Sequence, residues 1–235
     1  MPFGWGSIFG ARRPSEKELL EQQMPSREVD LPRALQSVVR FAETKQILDH
    51  LLSAQRERKL RSLAILSEMP REGRSLFSAT IATSFGQLVR QKVLVVDCST
   101  HRSPHSLTLE RLLESDDLGE EEKMDRVRKT LSVNVSIVRL RDWAEGMETM
   151  PEYEVKGLME GPGKNFDLAI FDTCAMAAKN RNNLDPIAIA RRCDAALLLV
   201  SRRSATRTLM HEIRERLKKE KLELLGIAVN EGILV

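Results

Sequence analysis

Short apolar runs recur six times along the chain, separated by segments with helical spacing, and this alternation restricts the fold more than any other feature. The runs fall at residues 62–67, 92–97, 133–140, 166–172, 195–201 and 224–229. Most are uninterrupted, as in Val93-Leu-Val-Val-Asp97, which is how strands buried on both faces of a parallel sheet read. Helical patterns occupy 75–91, 106–129, 152–160, 185–192 and 205–221. Strand and helix in this rhythm predict an α/β fold with three layers, α/β/α, around a mostly parallel sheet. Right-handed crossovers then put the functional edge at the C-terminal ends of the strands.

Upstream, the apolar positions Leu35, Val38, Val39, Phe41, Ala42, Ile47, Leu48, Leu51 and Leu52 recur at roughly helical spacing. They predict one or two amphipathic helices over 31–58, packed on the domain that follows. Residues 1–30, with Gly, Pro and mixed charge, read as a tail and linker, so the domain is expected to span 31–235. The opening Met1–Arg13 segment has aromatic and basic residues but no signal-peptide core, and reads as part of that tail. No apolar run approaches the roughly 18 residues that cross a bilayer.

The charge balance narrows the partners. With 37 basic against 34 acidic residues and a formal charge of +3, the chain lacks the clustered basic excess of a nucleic-acid binder. Its three cysteines, Cys98, Cys174 and Cys193, make neither a disulfide framework nor a zinc pattern. A reducing cytoplasm is the simplest context.

Three strand ends carry residues suited to phosphate and metal chemistry. After the first run comes Ser67-Glu-Met-Pro-Arg-Glu-Gly-Arg-Ser75. A phosphate-binding loop belongs there, where backbone N–H groups and the next helix's N-terminus face the anion. In such a loop glycines allow close approach, a lysine spans the terminal phosphates and a Ser or Thr holds magnesium. The runs ending in Asp97 and Asp172 each supply a carboxylate of the kind a magnesium site uses. Either aspartate alone is as well explained as a turn residue. The order of all three carries the weight.

That order resembles the deviant P-loop ATPases of the MinD/ParA type, and most closely the bacterial tyrosine kinases (BY-kinases) of capsule and exopolysaccharide export. Their loop reads roughly Ser-x-x-Pro-Gly-Glu-Gly-Lys-Ser, against residues 67–75 here. Asp97-Cys-Ser-Thr-His-Arg-Ser-Pro104 is similar to the family's Asp-x-Asp-x-Arg stretch with its nearby proline. Phe166–Thr173 is similar to its later Asp-bearing strand, and Cys193–Ser201 to the strand after that. Leu225-Gly-Ile-Ala-Val-Asn230 is similar to its Gly-x-Val-x-Asn near the base site. The resemblance runs from about Ala34 to Val235 and implies a P-loop NTPase fold. It implies Gly73, Arg74, Ser75, Arg71 and Asn230 as nucleotide-contacting positions. It also implies Ser75, Asp97 and Asp172 as magnesium positions when nucleotide is bound, the two aspartates being remnants of the catalytic set.

The departures shape the expected function. Arg74 stands in the lysine position, where a planar guanidinium is no substitute for a compact ammonium. Arg71 stands where the family has a glycine, and a side chain there opposes a positive φ. Ser99 replaces the second carboxylate of Asp-x-Asp. Tyr153 is the only tyrosine, so autophosphorylation of a tyrosine-rich tail is not expected. The reading is therefore a degenerate BY-kinase-like protein, a regulatory or scaffolding subunit in bacterial capsule or exopolysaccharide synthesis or export. It requires no cofactor, with weak ATP or ADP and magnesium binding left open. The implied partner is a cytoplasmic segment of a membrane polysaccharide copolymerase or another export protein, at the inner face of the membrane. Homo-oligomerisation is also implied, although the family's Arg-rich pattern is hard to find in 31–42. Two alternatives are an active MinD/ParA-type switch, which lacks its early loop lysine at Met69, and a tyrosine kinase acting in trans.

Three smaller features have plain explanations. His101 and His105 are four residues apart but read as exposed loop histidines. The basic residues of 202–221 are interleaved with Glu212, Glu215 and Glu220 and read as a solvated helix face. Cys98 has no obvious histidine partner placed by sequence and reads as a buried or semi-buried thiol. An alternative for the loop is that Arg71 and Arg74 pair with Asp97 or Asp172, since a cleft that once held phosphate cannot keep unpaired buried carboxylates.

Overall fold

The structure is a computed structural model that describes residues 35, 38–40, 42–99, 109–113, 126–147, 149–178, 184–222 and 224–231. All of these fall within Leu31–Val235, and the expected tail at 1–30 lies outside them. The first described helix is α1 (Ala42–Arg58). The apolar runs form β1 (Ser62–Leu66), β2 (Val93–Asp97), β4 (Val135–Arg139), β5 (Leu168–Asp172), β6 (Ala195–Ser201) and β7 (Leu224–Asn230). With β3 at Arg128–Lys129, the sheet order is β3-β4-β2-β5-β1-β6-β7, and all neighbouring pairs except β3 with β4 are parallel.

Each central strand divides its side chains between two cores. Leu63 and Ile65 of β1, with Val93 and Val95 of β2, pack on one face against Leu48 and Leu51 of α1. That core also holds Ala79, Ile81 and Ala82 of α2 (Arg74–Ser84) and Leu109 and Leu112 of α3 (Leu109–Leu113). Ala64, Leu66, Leu94 and Val96 pack on the other face against Leu158 of α5 (Val155–Glu160), Ile189 of α6 (Pro186–Ala190) and Ile213 and Leu217 of α7 (Arg207–Lys219). Period-2 alternation with apolar residues at every position produces this three-layer α/β/α arrangement. The short α4 (Leu140–Trp143) follows β4 directly.

Local chemistry sets several helix starts. Asp185 caps α6 by accepting from the Ile187 N–H, with Pro186 at the first helical position. Thr206 caps α7 by accepting from the Leu209 N–H. Helix α2 starts instead from Gly73 in the left-handed region, without a side-chain cap. Its end widens into a π turn over Phe85–Val89, where the backbone passes so close to the segment before β4 that a Cβ on Gly86 would meet the Val133 carbonyl oxygen at 2.2 Å.

Two expectations are corrected. The helix expected over 106–129 does not continue to its end, because Arg128–Lys129 form β3, antiparallel to β4. The hairpin is drawn tight by Thr130, whose hydroxyl accepts from the Ser132 N–H at 3.2 Å and donates to the Val135 carbonyl at 2.9 Å. Asn134 turns the chain at a φ of 60°. This turn chemistry outweighs the charged, helix-favouring composition just upstream. The last run is not buried on both faces either. β7 ends the sheet beside β6 alone, and Ile227 and Val229 are each 52% exposed. Among the described residues no helix is long and apolar enough to cross a membrane.

Candidate functional site

Because β1, β2, β5 and β6 are parallel, their C-terminal ends converge on one edge of the sheet, and the sequence-singled residues gather there. Asp97 and Asp172 are register partners on β2 and β5. Both are buried. Asp97 is also the register partner of Arg139 at the end of β4. The 67–75 loop leaves β1 between β5 and β6 and returns as α2.

The loop is held by the buried side chain of Glu72, which matches the Glu of the family loop's spelling but is not among the expected site residues. Its Oε2 accepts from the Met69 N–H at 3.0 Å, closing the loop on itself. Its Oε1 accepts from the Ser201 N–H at 3.0 Å and from the Ser204 hydroxyl, tying the loop to the end of β6. Asn230, at the end of β7, donates its side-chain amide to the Glu72 carbonyl at 3.0 Å. The same amide nitrogen lies 2.8 Å from where a Cβ on Gly73 would sit. With a φ of +91° as well, Gly73 is fixed as glycine twice over, by backbone conformation and by close approach.

Arg71 corrects an expectation. A side chain there was expected to oppose a positive φ, yet Arg71 takes a φ of 63°. The loop keeps the left-handed turn and carries a conformational cost of about 1 kcal/mol for a non-glycine residue. The Arg71 side chain is exposed, which explains how a long side chain is sterically accommodated.

Arg74 points into the strand ends. Its Nε–H donates to the Thr173 carbonyl at 2.9 Å, and a terminal nitrogen donates to the Ser67 hydroxyl. The guanidinium thus bridges the residues that follow β1 and β5. It also sits near enough to Asp172 to favour that carboxylate electrostatically. Asp97 also has a partner that the sequence did not suggest. The Arg139 Nε lies 3.8 Å from Asp97 Oδ2, with both side chains largely buried. Arg139 escaped sequence reading because only strand register brings it beside Asp97.

Asp172 accepts from the Ser75 hydroxyl at 2.7 Å and from the Ser78 hydroxyl at 3.4 Å. Burial dominates its titration and raises its pKa to about 6, against the lowering influence of Arg74 and the Ser75 hydrogen bond. Ser99, in place of a second carboxylate, donates its backbone N–H to Asp97 Oδ1 at 2.8 Å. Cys98 and Cys174 flank the aspartates, and the Cys174 thiol points to the Cys98 carbonyl at 3.4 Å. Burial, followed by the charges of Asp97 and Asp172, pushes the Cys98 thiol well up, as suits an unreactive thiol. His101 and His105 lie outside the described residues.

The fit to magnesium nucleotide divides into two halves. Ser75, Asp172 and Asp97 offer hard oxygen donors at adjacent strand ends, which suits a magnesium ion. Among the described residues, no group of three or more His, Cys, Asp or Glu side chains is placed to hold a metal without further oxygen ligands. The phosphate half does not fit in this conformation, because two of the Arg74 donors are engaged by Ser67 and Thr173.

No family model and no curated protein matches the chain. Solved structures do. The kinase domain of the Escherichia coli tyrosine kinase ETK superimposes with a TM-score of 0.63 at 20% identity, covering 93% of this chain and 87% of that one. The BceF tyrosine kinase domain gives 0.59 at 18% identity, covering 83% and 76%. The septum site-determining protein MinD from Pyrococcus horikoshii, solved with Mg-ADP, gives 0.51 at 18% identity, covering 72% and 70%. The chain therefore has the α/β P-loop NTPase fold that these bacterial tyrosine kinase domains and the MinD ATPase share.

Proposed function

We propose that the protein is a catalytically degenerate BY-kinase-like protein that serves as a regulatory or scaffolding subunit in bacterial capsule or exopolysaccharide synthesis or export. Its partner is a cytoplasmic segment of a membrane polysaccharide copolymerase or another export protein. One observation carries the reading: the Arg74 guanidinium, in the position of the catalytic lysine, is engaged by the Thr173 carbonyl and the Ser67 hydroxyl. An ammonium in that position follows the charge that develops on transferring phosphate. Losing such stabilisation costs about 3 kcal/mol, or a hundredfold or more in rate. The likeness to tyrosine kinase domains supports the choice of pathway.

Titration of the purified protein with a fluorescent ATP analogue and magnesium tests this directly. The expected result is no saturable binding in the micromolar range. The triple reversion Arg71→Gly, Arg74→Lys and Ser99→Asp is expected to restore it. Micromolar binding by the unaltered protein, with phosphate release, would overturn the proposal in favour of an ATP-dependent switch. The retained Ser75, Asp97 and Asp172 favour that second reading.

A further inference from the structure

β7 has one strand neighbour among the described residues, so a row of its backbone N–H and C=O groups faces away from the sheet. Between β7 and α7 runs a groove of about 910 Å³. Its helix side presents His211, Arg214 and Lys218, spaced three and four residues apart and so stacked along one face, with Lys221 just past the helix end. Its floor is aliphatic, with Leu198 and Leu217 buried beneath and the half-exposed Ile227 at the rim. Among the described residues no carboxylate lines it.

Three nearby acids among the described residues are engaged elsewhere. Glu220 pairs with Arg191, Glu68 with Arg216 and Glu231 with Arg202. Glu212 and Glu215, whose interleaving suggested a merely solvated face, do not line the groove. Arg214, Lys218 and Lys221 are left without an ion-pair partner among the described residues, above an apolar floor and beside an open strand edge.

Three requirements follow for an occupant. It must offer backbone hydrogen bonds in strand spacing, apolar side chains for the floor, and negative charge for the helix side. An extended peptide with alternating acidic and apolar residues meets all three. A second copy of β7, paired across a two-fold axis, would bring two cationic rows together, and like charges at that distance repel. An anionic membrane would answer the charge but not the unpaired backbone of the strand edge. We infer that the α7–β7 groove is a docking site for an extended acidic segment of another protein, which adds to the sheet as a strand beside β7.

The test uses the full chain and a fluorescein-labelled synthetic peptide of alternating glutamate and valine, followed by anisotropy at low salt. Saturable binding is expected. The double charge reversal Arg214→Glu with Lys218→Glu, both exposed and compatible with the fold, is expected to weaken it at least about tenfold. Methylation of alternate peptide nitrogens is expected to weaken it comparably, because the strand hydrogen bonds would be lost. The inference fails if the peptide does not bind, or if the reversed variant binds equally well. It fails too if the methylated peptide binds as the parent does. Sedimentation showing self-association that the double reversal abolishes would assign the edge to a second copy instead. Flotation on phosphatidylglycerol vesicles through Arg214 and Lys218, without peptide binding, would assign it to a lipid surface.

Discussion

The centre of the sheet and its β7 edge obey opposite rules. At the centre, β1, β2 and β5 are buried at every position. The polar groups at their ends are consumed by one another: Ser75 by Asp172, Arg74 by Thr173 and Ser67, and Arg139 by Asp97. At the edge, β7 is half-exposed along its length and its neighbouring helix turns unpaired cations outward. The contrast teaches that polar groups gathered at buried strand ends satisfy each other, because burial makes an unpaired charge there costly.

The largest effect expected from this contrast is in packing. Phe171 on β5 is fully buried, and Phe171→Ala should cost about 4 kcal/mol. Ile227→Ala on β7 should cost less than about 1 kcal/mol, since half of the side chain already meets water. Urea unfolding of the two variants checks both, and equal losses would erase the difference between centre and edge.

Next comes Asp172. Its folded pKa of about 6 lies above the ordinary 3.8. The folded state therefore binds the proton more tightly, and stability falls as pH rises from about 4 through 6. Above that window the ionised, buried carboxylate costs about 3 kcal/mol. Asp172→Asn, which still accepts from Ser75, should stabilise the chelator-treated protein by roughly that amount at pH 8. The gain should vanish near pH 4. A gain independent of pH would show that burial of the charge is not the cause.

Smaller effects separate the two left-handed positions of the loop. Gly73→Ala should cost about 2 kcal/mol, combining the positive φ with contact against Asn230. Arg71→Gly should change stability by less than about 1 kcal/mol, because relief of the left-handed side chain is offset by glycine's larger unfolded-state entropy. Thermal melts of both variants would sharpen the comparison within one loop. A loss of several kcal/mol for Arg71→Gly would mean that the exposed arginine makes contacts essential to the loop.

Much of this was readable along the chain. Continuous apolar runs such as Val93-Leu-Val-Val96 specify strands covered on both sides, because no polar face is left to meet water. Parallel strands then require crossovers, so Ser67, Asp97 and Asp172 had to share an edge. The spelling of the 67–75 loop placed glycine and serine at the start of α2 for the same local reason. The β3 hairpin was hidden by its charged neighbourhood, and the exposure of β7 by its apolar composition.

What the sequence by itself determined was the layered α/β architecture and the strand ends at which its chemistry could lie. Tertiary structure alone decided how those ends are occupied. Strand register set Arg139 beside Asp97 across more than forty residues of chain. Chain return brought Glu72 to Ser201 and Asn230 to Gly73. It also left β7, the last strand placed, with cations and no strand on its outer side among the described residues. The physical reason is that hydrophobic periodicity is a local property of the chain, while the pairing of charges depends on distances that exist only after the chain has folded.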